Sequence, residues 1–247
     1  MFKMNVRLME QFGYPVPSDL PRSLISPYLN LYQFPKELDY DDVIQIPKNY
    51  LQVDAFCRQE LGDAFELPEK LKSQMKPGDK LLYFSLGTIG STNVELLQRI
   101  IDMLAKTPHF YLVSLGLFGE QLVLGERMWG SRYLPQTKLF QVVDAAIIHG
   151  GNNSLTEAFY FAVPVVVMPV FFDQYDNGTR VAEKGYGRSL NPYACSEEEL
   201  REAVEEALTD RQLKEKMVAA SKRIQAAKSK ERACEAIEQV VEKAAQK

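Results

Sequence analysis

His149, Gly150, Gly151, Asn152, Asn153 and Ser154, with Glu157 one helical turn on, sit between the apolar runs VVDAAII and AFYFAVPVVVMPV. Two glycines permit a sharp turn and let another molecule approach the main chain. Asn153 or Ser154 is placed to cap a helix whose free N–H groups and dipole favour an anion. His149 adds a donor beside them. This set of groups suits a diphosphate. The same residues also fit a plain strand–helix turn with a hydrogen-bonded histidine, and the hexapeptide alone does not decide. A second stretch, SLGTIGST at 85–92, has a similar form: Ser85 leads in, Gly87 and Gly90 ease the backbone, and Thr88 offers a hydroxyl. It is neither a phosphate-binding Gly-Lys-Ser/Thr loop nor a GxGxxG fingerprint, so taken alone it favours an ordinary turn.

The elements that must position these residues follow from hydropathy. Short apolar runs at 81–86, 110–115, 145–149 and 165–170 read as buried strands. Helical patterns follow the first, third and fourth. The first carries Leu97, Ile100, Ile101 and Leu104 on one face, with Thr92 and Glu95 as a capping box. Asn153–Phe161 and Tyr175–Lys184 are the next helices, and a Gly-rich loop holding Trp129 follows the second strand. Ser196 and Glu199 form another capping box, and the chain is helical from Asp210 almost to Lys247. Apolar strand, turn and helix in repetition predict an α/β fold, a Rossmann-like parallel sheet with helices on both faces. In such sheets ligands bind beyond the carboxyl ends of the strands, where both glycine stretches fall.

The first third differs. Residues 1–10 read as the end of a helix with Phe2, Val6 and Met9 inward, and six prolines break every pattern between Tyr14 and Tyr50. That stretch reads as a linker or wrapping segment. The expected division is 1–78 as domain tail and linker, and 79–247 as the α/β domain. A net charge of −4 excludes an electrostatic nucleic-acid footprint. The N-terminus has no apolar core of a signal peptide, and the longest apolar run is interrupted by Pro164 and Pro169, so no membrane anchor is expected. Three cysteines without a CxxC pair fit a reducing, cytoplasmic setting.

The order of motifs carries more than any one of them. YLPQ (133–136), HGGNNS, Glu157, AVP (162–164) and FFDQYDN (171–177) follow one another in the spacing of a donor-domain signature. In this the chain resembles the UDP-dependent glycosyltransferases, and the HGGNN wording is similar to macrolide-glycosyltransferase-like members. SLGT resembles that family's first donor-domain loop, and LNLYQFPKELDY (29–40) the segment joining its two domains. The resemblance implies one half of a GT-B fold that binds a UDP-sugar as co-substrate without a metal. It implies that Tyr133 stacks on uracil, that the Leu134 backbone pairs with its edge, and that Gln136 reaches the nucleoside. Glu157 would accept from the ribose hydroxyls. His149, Gly151, Asn153, Ser154 and Thr88 would surround the diphosphate, and Asp173 with Gln174 would bind sugar hydroxyls. Tyr133 replaces the usual Trp, Ala162 replaces a Gly, and Asn152 stands where many plant members have Trp, so sugar preference does not carry over.

The family's general base, a histidine on the acceptor domain, is not among the two histidines here. His149 belongs to the phosphate motif. His109, after KTP, reads as a surface or capping residue. The expected function is therefore the donor-binding portion of a UDP-glycosyltransferase, transferring a hexosyl group to a small lipophilic acceptor when an acceptor domain is present. The alternatives are a UDP-sugar-binding module that transfers nothing unaided, the donor subunit of a split enzyme, and, more remotely, a UDP-sugar epimerase. Faces that pack on an acceptor domain would also permit self-association.

Overall fold

The computed structural model describes residues 9–13, 25–41, 43–58 and 62–245. Residues 1–8 of the helix expected near the N-terminus, and 14–24 of the proline-rich stretch, lie outside these residues, while 9–11 are helical.

Six parallel strands form the central sheet: β3 (Leu81–Ser85), β4 (Phe110–Ser114), β5 (Met128–Ser131), β6 (Ala145–Ile148), β7 (Val165–Val167) and β8 (Gly187–Ser189). Their order is β5-β4-β3-β6-β7-β8. The chain winds outward from β3 to β5, then returns to the other side of β3, so a topological switch lies between β3 and β6. The period of two sends alternate side chains to opposite faces. Leu81, Tyr83, Leu112, Ala146, Ile148 and Val167 join one core cluster, and Leu82, Phe84, Tyr111, Val113, Ile147 and Val166 the other.

Helices cover both faces. Against the second cluster pack α3 (Val94–Leu104) and α7 (Glu197–Thr209); against the first pack α5 (Asn152–Tyr160), α6 (Gln174–Glu183) and α8 (Arg211–Ala226). Leu97, Ile100, Ile101 and Leu104 are all buried on α3, as their spacing predicts. The Ser196–Glu199 capping box opens α7. A short α1 (Glu69–Lys72) precedes the sheet, α2 (Gly87–Gly90) follows β3 and α4 (Gln136–Leu139) follows β5.

Several local expectations are corrected. Asn93, not Thr92, caps α3, accepting from Leu96 N–H at 3.0 Å, while the Thr92 hydroxyl donates to Ile89 O and closes the preceding turn. Trp129 is in β5, not in a loop: MWGS is too short and too lightly apolar to announce a strand. The strand expected over 165–170 stops at Val167, since Pro169 has no N–H for the ladder. The long C-terminal helix is two, α8 and α9 (Ser229–Ala245), separated at Lys228, whose φ is 48°.

Two strands precede the sheet, β1 (Asn30–Gln33) and β2 (Tyr50–Val53), paired in parallel. They are docked on the α/β unit. Arg223 on α8 donates to Glu37 at 2.6 and 2.7 Å and to Asp54 at 2.5 and 3.1 Å. Arg180 donates to the carbonyls of Leu38 and Asp39, and Leu38, Ala55 and Cys57 are buried in the first core cluster. Among the described residues no helix is long and apolar enough to cross a membrane.

Candidate functional site

A cleft of ≈ 1000 Å³ opens beyond the carboxyl ends of β3, β4, β5 and β6, at the switch point. Three neighbouring strands end in serines that line it: Ser85, Ser114 and Ser131. Ser85 Oγ accepts from Gly87 N–H at 3.2 Å, and Thr88 is exposed on the wall in α2.

His149 follows β6 directly. Its ring is wedged between two glycines: a Cβ on Gly87 would lie 2.8 Å from Nε2, and one on Gly151 would lie 2.3 Å from it. Any side chain at either position would displace the imidazole. Burial pushes the His149 pKa below its ordinary value, against an opposing effect of Asp173, so the ring is neutral at pH 7. Its Nδ1 is buried with no hydrogen-bond partner among the described residues.

Gly150 turns the chain at φ 79°, and Gly151 is the extended N-cap of α5, with Leu155 N–H bonded to its carbonyl. Asn153 and Ser154 are therefore inside the first turn and do not cap it, a correction to the sequence expectation. With no side-chain cap, the N–H groups of Asn152, Asn153 and Ser154 have no intrahelical partner. The positive end of a nine-residue helix opens beside Asn153, Ser154 and His149, all on the cleft wall. That arrangement can receive an anion.

Further along α5, Glu157 Oε2 accepts from Gln136 Nε2 at 2.6 Å, and the same amide donates to Ser154 Oγ at 3.1 Å. Gln136, Ser154 and Glu157 thus form one polar cluster on the wall. Tyr133 stands 65% exposed at the rim, its hydroxyl accepting from Arg58 Nη2 at 3.0 Å. Leu134 beside it has its side chain buried, which leaves its backbone to meet a ligand.

Three of the sequence candidates are placed apart from this wall. Asn152 points to β1, its Nδ2 donating to Gln33 O at 2.7 Å, because one residue along a helix turns its side chain about 100° from that of Asn153 on the cleft wall. Asp173 is exposed at the start of α6 and accepts from Asn177 Nδ2. Gln174 is buried, and its Oε1 is taken by the N–H groups of Val170 and Phe171 at 2.9 and 3.0 Å. Its amide nitrogen is the part left to offer a ligand. His109 is not at the surface but buried, with Nε2 2.8 Å from Glu205 Oε1 on α7.

Sequence reasoning missed Gln33, Phe56, Arg58, Ser114, Ser131 and Arg132, all on the cleft wall. The serines had a signal, being polar residues at the carboxyl ends of apolar strands. Arg58 and Gln33 had none, since a pairing 75 residues away with Tyr133 leaves no trace in local pattern.

The chain is 29% identical over 89% of its length to UDP-glucuronosyltransferase 2B16 of Oryctolagus cuniculus, of which it spans 42%. It is 27% identical over 77% of its length to a sterol 3-beta-glucosyltransferase of Vanderwaltozyma polyspora, of which it spans 16%. Among solved structures, the calicheamicin glycosyltransferase CalG4 superposes with a TM-score of 0.70 at 21% identity, covering 97% of this chain and 58% of that one. The glycotransferase of kitacinnamycin gives 0.73 at 22%, covering 87% and 55%. The fold is that of one half of a GT-B glycosyltransferase. Residues 40–243 match the family described as UDP-glucoronosyl and UDP-glucosyl transferase, and the chain belongs to that family.

Proposed function

We propose that this chain is the donor-binding portion of a UDP-sugar-dependent hexosyltransferase. The observation that carries the reading is the uncapped N-terminus of α5 beside His149, one turn before the Glu157–Gln136 pair. In this reading Tyr133 carries the uracil, the Leu134 backbone meets its edge, and Glu157 with Gln136 takes the ribose hydroxyls. The α5 N–H groups, His149 and the Ser85–Thr88 turn hold the diphosphate. Asp173 and the Gln174 amide lie on the side where the sugar would extend.

Transfer would form a bond from an acceptor hydroxyl oxygen to the sugar C1 and break the bond from C1 to the diphosphate. Negative charge then grows on the leaving UDP, where the helix terminus and a His149 N–H would stabilise it. No metal is required in this scheme. The hydroxyl proton must go to a base. His149 is neutral but wedged against the phosphate seat, and His109 is engaged by Glu205 on α7, so the base is supplied from outside these residues. Exposed Ile89 and Leu117 near the cleft suit a small lipophilic acceptor. Residues 1–78 would then be the acceptor-domain tail and linker, and the free cysteines suit a cytoplasmic setting.

Calorimetric titration with UDP-glucose and UDP-glucuronic acid tests the reading. Saturable binding without sugar transfer by the 247-residue chain is the expected result. Absence of binding to any UDP-sugar overturns the donor-site reading; robust transfer overturns the argument about the base.

A further inference from the structure

The extended segment after β2 forms part of the donor cleft wall, although it lies outside the six-stranded sheet. Alternation along it divides its side chains between two environments. Ala55 and Cys57 are buried in the first core cluster, while Phe56 and Arg58 are exposed and line the cleft. The segment is anchored on α8 and α9. Arg223 holds the Asp54 carboxylate, Asp54 N–H donates to Ser229 Oγ at 3.1 Å, and Cys57 O accepts from Lys230 Nζ at 2.6 Å. The place of Arg58 at the cleft is therefore set by the buried and bonded residues before it.

Resting on the reading of this cleft as a UDP-sugar site, we propose that Arg58 is a positioning residue that fixes the Tyr133 ring as the platform for the base. Arg58 Nη2 donates to Tyr133 Oη at 3.0 Å, across 75 residues of chain. Both side chains line the same cleft, and Tyr133 stands exposed at its rim, where packing does little to choose a rotamer. A base stacks well only on a ring whose direction is held. Ordering a mobile side chain at the moment of binding costs affinity, and a bond made before the ligand arrives removes that cost.

The two side chains suit this division of roles. The phenol oxygen sits at the far end of the ring, so a donor there arrests the swing of the ring about χ1. The guanidinium stays charged at any working pH, and a hydrogen bond from a charged donor is stronger than one between neutral groups. A base stacked on the ring excludes water, and the lower local dielectric strengthens the bond further. The bond thus contributes more with ligand bound than without, which is the condition for it to raise affinity. A cation in a cleft that receives a diphosphate has a competing role, direct contact with phosphate, and the two roles separate by experiment.

The test is calorimetric titration of the 247-residue chain with UDP and with uridine, which has no phosphate. Arg58→Met keeps the apolar stem and removes the donor. Tyr133→Phe keeps the ring and removes the acceptor. Each should weaken UDP and uridine binding about threefold. The double variant should bind no more weakly than either single one, because both changes remove the same bond. Arg58→Lys restores a donor and should recover part of the affinity. Thermal midpoints should hardly move, since both side chains are exposed. Losses that multiply in the double variant overturn the positioning role. So does a loss for UDP with uridine unchanged, the mark of a direct phosphate contact, and so does unchanged affinity in both single variants. A parent chain that binds no UDP overturns the donor reading and this proposal with it, whereas UDP binding with independent losses overturns this proposal alone.

Discussion

Gln136 Nε2 donates to Glu157 Oε2 at 2.6 Å, joining the first residue of α4 to the second turn of α5. The two residues come from YLPQ and HGGNNSLTE, motifs that sequence shows only as consecutive words. The bond sets the Glu157 carboxylate on the cleft wall. In the proposed donor site, Gln136 would therefore act chiefly by aiming Glu157.

Glu157→Ala should weaken UDP binding by about 1.5–3 kcal/mol, the loss of hydrogen bonds to a charged acceptor. Stability should change little, because Gln136 keeps its bond to Ser154. Gln136→Ala should give a smaller loss of affinity. Calorimetry on both variants checks the order. An unchanged affinity for Glu157→Ala would count against the ribose assignment.

Gly151→Ala isolates the packing of His149. Its φ of −60° and ψ of 142° suit any residue, so no backbone strain is introduced. The new methyl would lie 2.3 Å from His149 Nε2, and the ring must swing away. Affinity for UDP should fall about tenfold, equal to about 1.4 kcal/mol, through the lost donor. The thermal midpoint should move only a few degrees, because the ring can relax into the open cleft. A variant that binds UDP normally would show that His149 is not a phosphate donor.

How much of this was legible follows from where the signals lie. The sheet could be read because both its faces are covered, which makes β3, β4 and β6 continuous apolar runs. The motif order located His149, Glu157 and Gln136, since each sits at a strand end or a helix start that local pattern reveals. β1 and β2 were hidden among prolines, and their pairing joins residues about twenty positions apart, as in Asn30 with Tyr50. β8, Gly187–Ser189, is a short edge strand containing Arg188, with no apolar run to announce it. The side-chain directions of Asn152 and Gln174 were equally hidden. Both are amides beside the site, yet one holds β1 and the other its own loop.

Stability should fall on mild acidification through His149. Burial lowers its folded pKa, while the unfolded value is 6.5. Below 6.5 the unfolded chain therefore takes up a proton that the folded ring resists, and stability declines as pH falls toward the folded pKa. Above 6.5 the residue has no such effect. Thermal midpoints measured between pH 7.5 and pH 5.5, ordinary working limits on either side of that window, should fall for the parent chain and fall less for His149→Asn. Parallel curves for the two proteins would remove His149 from the account.

Arg223 holds β1 and β2 to the α/β unit, and its loss should be the most damaging of these changes. Its guanidinium bridges Glu37 and the Asp54 carboxylate, whose side chain is 1% exposed. Burial pushes the Asp54 carboxyl up, but hydrogen bonds from Arg223, Gln52 and the Lys36 N–H outweigh it and hold the pKa below its ordinary value. That contribution to stability is present above pH 3.8 and is lost as pH falls from there toward the folded pKa. Arg223→Met strands a buried charge and should cost about 3 kcal/mol, the lower end for broken buried pairs, because Gln52 and Lys36 still bond Asp54. Adding Asp54→Asn removes the stranded charge and should restore part of the loss. Denaturant melts of the single and double variants decide it: a double variant less stable than Arg223→Met alone would show that Asp54 is not the group left unpaired.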